Sequence, residues 1–564
     1  MSLSIRLSTL LSSLTLLPFL LCSQNWYHGQ RDSSNYAAIG TDQLYEKIIK
    51  DKPGQQVIVA VIDSGVDIEH EDLKDAIWTN NDEIPNNGID DDNNGYIDDY
   101  NGWNFIGGPN GEHVVADTYE MVRLYAAWRD RFNDVDPSTL SGEDLEEYNL
   151  WSKWGERIEN ETSSAKKRYD EYAAEAEVRN PIMNRLEEVN QSVELSESLI
   201  DSLGSSDDEL NQMAANVLNF FVENTGGIPD IKTIRAEFVG PLQEPMDYFG
   251  SKWKYGWNPD YNPRGIVGDD YEDLSNRFYG NSSVEGPDAF HGTHVSGIIA
   301  ASRDNELGVK GIANNAKIMV IRAVPDGDER DKDVANAIRY AVDNGASIIN
   351  MSFGKGFSPN KQYVDDAIRH AEKNDVLIVH ASGNSGQLID VEDHDVEVED
   401  EGNYPNDHFL NPKGFLFWKK KKPNNYLSIG ASSQAPGENL PASFSNYGKE
   451  DVDIFAPGTM MLSTTPDDQY EIAQGTSMAA PVVSGIAALI RSYFPRLTAE
   501  QVKESILGSV QPLDVMVRQP GTEELVPFSE LSVTGGVVNV EQAFLKAARM
   551  KGKKRIAKRN KMRA

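Results

Sequence analysis

Cysteine is nearly absent from this chain, which has one, Cys22, among 564 residues. Because it is the only one, the chain can contain no internal disulfide bond. Basic residues are also scarce: 53 Lys and Arg stand against 89 Asp and Glu, leaving a formal net charge of −36. This charge argues against nucleic acid as a partner, because the phosphate backbone would be repelled.

Long apolar runs are missing as well. The most apolar stretch near the amino terminus, Leu7–Leu21, is too short and too rich in hydroxyl side chains for a membrane span. It follows Arg6 and is typical of a secretory signal peptide, which we place at residues 1–23. Cys22 is a candidate for lipidation and hence for membrane attachment, with ordinary cleavage near Ser23 as the alternative. Both alternatives predict an exported protein, either in the cell envelope, for example as an outer-membrane lipoprotein, or secreted.

Three short motifs supply a nucleophile, a base and a carboxylate. A serine hydroxyl is a weak nucleophile at neutral pH, so acyl transfer needs an imidazole to take its proton and a carboxylate to orient that imidazole. The carboxylate is Asp63, which follows the buried-strand pattern of residues 57–62. The imidazole is His291, at the start of an apolar helical stretch, and the serine is Ser477, at the start of another.

The order Asp, His, Ser and the residues around each motif resemble the subtilase family, and the likeness covers about residues 55–110 and 265–545. The chain resembles the exported bacterial type, with a large insertion between the Asp and His motifs. The resemblance implies an α/β fold with a doubly wound, mainly parallel sheet. It also implies that Asn384 donates to the oxyanion. The implied substrate-binding segments, with the primary specificity pocket between them, are Ser352, Phe353 and Gly354, and Ala381, Ser382 and Gly383.

The resemblance implies an exported subtilisin-like serine endopeptidase that hydrolyses polypeptides through an acyl-enzyme at Ser477, with no catalytic metal. A dedicated processing peptidase or a transpeptidase is an alternative, because similar sites perform those reactions. A non-catalytic adhesion or scaffold protein at the cell surface is an alternative of a different class. The sequence does not indicate an oligomeric state.

An acidic loop carries oxygen-bearing side chains at alternate positions. Ca²⁺ prefers six to eight oxygen ligands, and such spacing with a central glycine is typical of calcium loops. The loop therefore predicts a structural calcium site, although its flanks do not resemble EF-hand helices, and a solvated acidic loop is the alternative. The predicted ligands are Asp90, Asp92, Asn94, the carbonyl of Tyr96, and Asp98.

Between Asp63 and His291 lie more residues than a compact member of the family has, so we predict an insertion. Helical spacing of apolar residues indicates a helical subdomain over residues 112–250, with one helix beginning at Asn180 and Pro181. Its apolar stripes indicate internal packing, with a substrate groove as the alternative. The predicted peptidase domain comprises residues 24–111 and 251–546. Residues 547–564 form a basic tail, either solvated or in contact with anionic lipid or the acidic body of the chain.

Overall fold

The computed structural model describes residues 26–31, 37–50, 52–390, 402–413 and 420–552. The predicted signal peptide, Cys22 and the tail from residue 553 onwards lie outside these ranges. The described chain divides into two compact units. One is a helical unit, Val122–Tyr261, and the other, the sheet unit, comprises the described residues up to Met121 and from Asn262.

A seven-stranded parallel sheet with the strand order β2-β3-β1-β4-β5-β6-β7 forms the centre of the sheet unit. Its strands are β1 Val57–Asp63, β2 Gly102–Asn104, β3 Ala316–Arg322, β4 Ile348–Met351, β5 Leu377–Ala381, β6 Tyr426–Ser432 and β7 Ile454–Pro457. Two antiparallel hairpins accompany it: β8 Met461–Thr465 with β9 Gln469–Ala473, and β10 Met516–Arg518 with β11 Leu525–Pro527.

Helices cover both faces of the sheet. Helices that begin or lie in this unit are α1 Thr41–Leu44, α2 Glu120–Phe132, α8 Arg264–Val267, α9 Phe290–Ala300, α10 Asp331–Asp343, α11 Lys361–Lys373, α12 Thr476–Tyr493, α13 Ala499–Leu507 and α14 Val540–Arg549. Those of the helical unit are α3 Glu143–Asn190, α4 Glu197–Gly204, α5 Glu209–Thr225, α6 Ile231–Phe238 and α7 Gly240–Ser251.

The apolar run of β1 is explained by burial on both faces. Side chains alternate along a strand, so Val59 and Val61 pack in one core with α9, α12, α13 and α14, while Ala60 and Ile62 pack in the other with α10 and α11. The predicted α/β class with a doubly wound parallel sheet is confirmed.

The register of β1 places the candidate site. Ile62 lies opposite Met351 in the parallel pair of β1 and β4, so the residues that follow, Asp63 and Ser352, lie side by side at the carboxyl edge. Neighbouring strands are about 4.8 Å apart. Functional groups of open α/β sheets gather at this edge.

The helical unit has its own apolar core, to which Ile182, Leu186, Val217 and Phe221 contribute. The helical unit extends from Val122 to Tyr261, whereas the sequence predicts residues 112–250 for the helical subdomain. The predicted helix start at Asn180 is wrong, because α3 runs without interruption through this point and has Pro181 in its interior. A proline is tolerated there because Pro181 lies on an exposed face of the helix, where its ring and the lost N–H hydrogen bond face solvent.

The Pro181→Ala variant is expected to stabilise the helical unit by up to about 3 kcal/mol, the difference in helix-interior cost between proline and alanine. Urea unfolding followed by circular dichroism measures the change. A variant equally or less stable than the unaltered protein would show that the proline is favourable in this long helix.

Candidate active site

Asp63 ends β1 and is buried. Its Oδ1 accepts from His291 Nδ1 at 2.8 Å and from the N–H of Ser64 at 2.8 Å. Helix α9 approaches this strand end closely, since a Cβ on Gly292 would lie 2.1 Å from the carbonyl oxygen of Gly65. Glycine at position 292 therefore allows the contact that brings His291 to the carboxylate.

His291 lies in the first turn of α9, with a partly exposed side chain. Because Nδ1 donates to Asp63, Nε2 is left to act as a proton acceptor. Burial alone would lower the pKa of His291, but the charge and hydrogen bond of Asp63 and the nearby charge of Asp288 together raise it above its ordinary value. The imidazole of His291 therefore binds a proton more tightly than a free histidine does.

Ser477 is the second residue of α12, and its hydroxyl donates to the carbonyl of Ser352 at 2.9 Å. The contact is reciprocal, because Ser352 Oγ donates to the carbonyl of Ser477 at 2.8 Å. That carbonyl lacks its usual helical donor, since Pro481, four residues on, has no N–H. Pro481 lies in the second turn of α12, and the Ser352 hydroxyl supplies the missing donor.

No hydrogen bond joins Ser477 to His291 in the part of the chain that the structure describes. Such bonds are often long in proteins without substrate and tighten when substrate binds. The two residues share the same sheet edge, because Ser477 is bonded to Ser352 and Ser352 is the neighbour of Asp63. All three predicted triad members are thus brought to one place.

The side-chain amide of Asn384 accepts hydrogen bonds through its oxygen, whereas its NH₂ group is free within the described ranges. Its Oδ1 accepts from the N–H and the hydroxyl of Thr476, both at 2.9 Å. Its Nδ2 donates to no group among the described residues. A Cβ on Gly475 would lie 3.4 Å from this Nδ2, so the free donor faces the start of α12. The N–H of Ser477 is one of the unpaired amides at that helix start.

The two predicted substrate segments differ in whether their backbone N–H groups already form hydrogen bonds. Residue Gly354 is exposed, and within the described ranges no hydrogen bond uses either of its backbone groups or the N–H of Phe353. By contrast, the N–H of Ser382 donates to Ile429, and that of Gly383 donates to Thr476 Oγ1. Within the described ranges, only the first segment therefore keeps backbone donors free for an extended peptide.

Asn403 lies between the two segments and is bonded to Ala381, a residue of the second segment. Ala381 is buried, and its carbonyl accepts from Asn403 Nδ2 at 3.1 Å. A Cβ on Gly354 would lie 2.7 Å from Asn403 Oδ1, and one on Gly383 would lie 3.2 Å from the same atom. The sequence did not single out Asn403, which is distant along the chain from both glycines.

The acidic loop brings together only part of the predicted ligand set. Carboxylate oxygens of Asp90, Asp92 and Glu83 lie within 4.8 Å of one another. Glu83 Oε2 is buried and has no hydrogen-bond partner among the described residues. Burial raises the pKa of Glu83, and the neighbouring carboxylates of Asp92 and Asp91 raise it further. This carboxylate was missed because nothing in the local spacing marks it.

Predicted ligands inside and outside this cluster also accept hydrogen bonds, and both carboxylate oxygens of Asp90 accept, from the N–H groups of Asn94 and Gly95. Asp98 accepts from the N–H groups of Asn87 and Gly88, both at 2.9 Å, and does not belong to this group of three carboxylates, so its ligand role stays a prediction. Asn94 Oδ1 accepts from the N–H of Tyr96 at 2.8 Å. The hydroxyl of the buried Tyr96 donates to the main-chain carbonyl of Arg277 at 3.2 Å, a contact that does not involve the Tyr96 carbonyl predicted as a ligand.

No helix in the described ranges combines the length and the apolar character needed to cross a membrane.

Comparison with known proteins gives consistent matches. A family model described as the subtilase family matches residues 54–526. The thermophilic serine proteinase of Bacillus sp. (strain AK1) is 34% identical over 39% of this chain and 48% of its own length. The major intracellular serine protease of Bacillus subtilis is 36% identical over 40% and 64%. The chain thus spans less than two thirds of the length of these two curated relatives.

Two further matches complete the comparison. Subtilisin DY of Bacillus licheniformis is 35% identical over 40% of this chain and 71% of its own length. A solved structure of the subtilase cytotoxin SubAB assembly is 25% identical, covering 46% of this chain and 77% of that chain with a TM-score of 0.37.

Replacing Asp288 by Asn is expected to lower the pKa of His291, because Asp288 is one of the two carboxylates that raise it. The asparagine can still accept from the N–H of Phe290, as Asp288 does at 3.2 Å. NMR titration of the His291 imidazole measures the shift, and Asp304→Asn, an exposed change of equal charge, is the control. An unchanged or raised pKa in Asp288→Asn would contradict this account of the electrostatics.

Proposed function

This chain belongs to the subtilase family, and from that premise we propose that it is a subtilisin-like serine endopeptidase acting through an acyl-enzyme at Ser477. The observation that carries the proposal is the meeting of three elements at one sheet edge. His291 Nδ1 lies 2.8 Å from Asp63 Oδ1. Ser352, which lies beside Asp63 at the sheet edge, forms two reciprocal hydrogen bonds with Ser477. The substrates are polypeptides.

In the acylation step, Ser477 Oγ attacks the carbonyl carbon of the scissile peptide bond and gives its proton to His291 Nε2. Asp63 keeps the proton-bearing Nδ1 oriented and stabilises the imidazolium. The carbonyl oxygen becomes an oxyanion, which Asn384 Nδ2 and the N–H of Ser477 stabilise. His291 then protonates the leaving amine as the carbon–nitrogen bond breaks.

In the deacylation step, a water molecule takes the place of the released amine. His291 takes a proton from the water as its oxygen attacks the acyl carbon, and the same two donors stabilise the second oxyanion. Collapse of this intermediate breaks the ester bond, and the proton returns to Ser477 Oγ. The net reaction is peptide hydrolysis, and all the groups it needs belong to this chain and to water.

The substrate lies in an extended conformation along Phe353 and Gly354. The exposed and unused backbone groups of this segment support the placement, because an added strand forms hydrogen bonds with such groups. Folded proteins offer few extended segments. The expected substrates are therefore unfolded or loop regions of proteins.

We further propose a structural Ca²⁺ site formed by Glu83, Asp90 and Asp92. The buried Glu83 Oε2, which has no partner in the described chain, supports it, because an unpaired buried carboxylate oxygen is costly. Three carboxylates match the preference of this cation for oxygen ligands. The ion would offset their mutual repulsion and stabilise the loop.

We also propose that the protein is exported, with residues 1–23 as its signal peptide. The sequence features behind this proposal are the apolar stretch Leu7–Leu21 and Arg6, which precedes it. Both lipid attachment at Cys22 and free secretion are consistent with it.

The Ser477→Ala variant is expected to lose hydrolysis of a chromogenic peptide substrate while keeping its fold, because the nucleophile is gone. Asn384→Ala is expected to lower kcat by about 100- to 1,000-fold, as loss of one oxyanion donor does. Circular dichroism controls for folding. Full activity of Ser477→Ala would refute the proposed function, and unchanged kcat in Asn384→Ala would place the oxyanion donors elsewhere.

Removing calcium with a chelator is expected to lower the melting temperature. When free calcium exceeds its dissociation constant a hundredfold, the ion contributes about 2.7 kcal/mol to stability. Glu83→Gln should reduce this response, whereas Asp98→Asn, which changes an equally charged side chain outside the cluster, should retain it. Identical melting curves with and without chelator, together with no calcium by elemental analysis, would reject the site.

Mass spectrometry of the mature protein tests export. A diacylglyceryl group on Cys22 is expected if the protein is a lipoprotein, and an unmodified terminus near Ser23 if it is freely secreted. Retention of Met1 in protein produced by its native host would contradict both.

A further inference from the structure

Lys355 follows the substrate segment directly and is one of the most buried lysines of the sheet unit. Its side chain is 1% exposed, and its ammonium contacts Glu120 Oε2 at 2.6 Å and Asp331 Oδ1 at 2.8 Å. It also donates to the carbonyl of Glu329 at 2.9 Å. The side chains of Glu120 and Asp331 are 4% and 2% exposed. We call Lys355, Glu120 and Asp331 the ion triad.

Burial makes this triad hard to rearrange. Separating one member would leave a charge in a dry site without its partner, which typically costs several kcal/mol. Burial raises the pKa of the neighbouring carboxyl group of Glu329 to about 8, which favours its uncharged form at neutral pH. The ammonium of Lys355 is therefore held at one position between two carboxylates.

The backbone of Lys355 is also held at both ends. Its N–H donates to the carbonyl of Tyr404 at 3.0 Å, and its carbonyl accepts from the N–H of Tyr404 at 3.0 Å. One residue earlier, Gly354 is exposed and its backbone groups make no hydrogen bond within the described ranges. An exposed, unpaired edge thus borders a residue fixed by both its side chain and its backbone.

We infer that Lys355 is a positioning residue, whose ion triad with Glu120 and Asp331 holds Phe353 and Gly354 in the orientation that pairs with an extended substrate. The inference rests on the proposed peptidase function. In this inference the ion triad acts through the backbone next to it rather than on the reacting atoms.

The effect of the triad should depend on substrate length. A substrate with one residue before the scissile bond reaches Ser477 without lying along Gly354, whereas a substrate with four residues there pairs with the segment. Loss of a merely structural ion pair would lower stability and affect both substrates alike. Loss of a positioning residue would weaken the longer substrate selectively, through KM.

The experiment compares acyl-peptide anilides of one to four residues, with the same residue before the scissile bond. Lys355→Met and Glu120→Gln are expected to lower kcat/KM for the four-residue substrate by about 10- to 100-fold, mainly through KM. Hydrolysis of the one-residue substrate and the labelling rate of Ser477 by a fluorophosphonate should change by less than about threefold, because neither reagent lies along Gly354. Glu120→Gln keeps the shape of the side chain and serves alone if Lys355→Met does not fold.

Lys361→Met is the matched control. Lys361 is a largely buried lysine of the same unit, paired with Asp365 at 2.7 Å on α11. This variant should lose stability but keep the rate ratio of long to short substrates. Equal losses on both lengths, or an unchanged ratio in Glu120→Gln, would overturn the inference. Absence of fluorophosphonate labelling in the unaltered protein would instead refute the peptidase function itself.

Discussion

The site depends on the reciprocal hydrogen bonds between Ser352 and Ser477. Strand β4 ends one residue before Ser352, and its neighbour β1 ends at Asp63, so the register of two parallel strands sets the distance between carboxylate and nucleophile. One of the two bonds exists because Pro481 has no N–H and leaves the carbonyl of Ser477 open to the Ser352 hydroxyl. A proline that would weaken an ordinary helix thus attaches this helix to the sheet.

Buried polar contacts continue this attachment into the core. Asn350 Nδ2 donates to Ser352 Oγ at 2.9 Å, and Ser484 Oγ donates to Asn350 Oδ1 at 2.8 Å. Helix α12 is therefore bonded to β4 at its first turn and again two turns later. A fully satisfied buried network is rigid, because breaking any member leaves a buried group unpaired. The position of the Ser477 hydroxyl follows from this rigidity.

The fold class and the family could be predicted from sequence because their signals are local. A continuous apolar run marks β1, and short motifs mark Asp63, His291 and Ser477 at the ends or starts of elements. The contribution of Glu83 could not be predicted, because its contact with the acidic loop depends on how the chain folds back. The occupied N–H groups of Ser382 and Gly383 likewise arise from distant partners, Ile429 and Thr476.

Helix α3 shows a limit of a different kind. Asn180 and Pro181 are a strong local signal for a helix start, yet the helix continues because flanking apolar residues such as Ile182 and Leu186 are buried in the core of the helical unit. Tertiary packing outweighed local propensity. Lys355 illustrates the same point for charge, since a lysine after a glycine is expected on the surface but is buried between two carboxylates.

The most direct test of the account is the structure of the adduct formed with a peptidyl phosphonate. We predict a single covalent bond, to Ser477 Oγ, with the phosphonyl oxygen within hydrogen-bond distance of Asn384 Nδ2 and the N–H of Ser477. The peptide should pair with Gly354, and His291 should remain bonded to Asp63. An adduct on another residue, or a phosphonyl oxygen directed away from Asn384, would contradict the account.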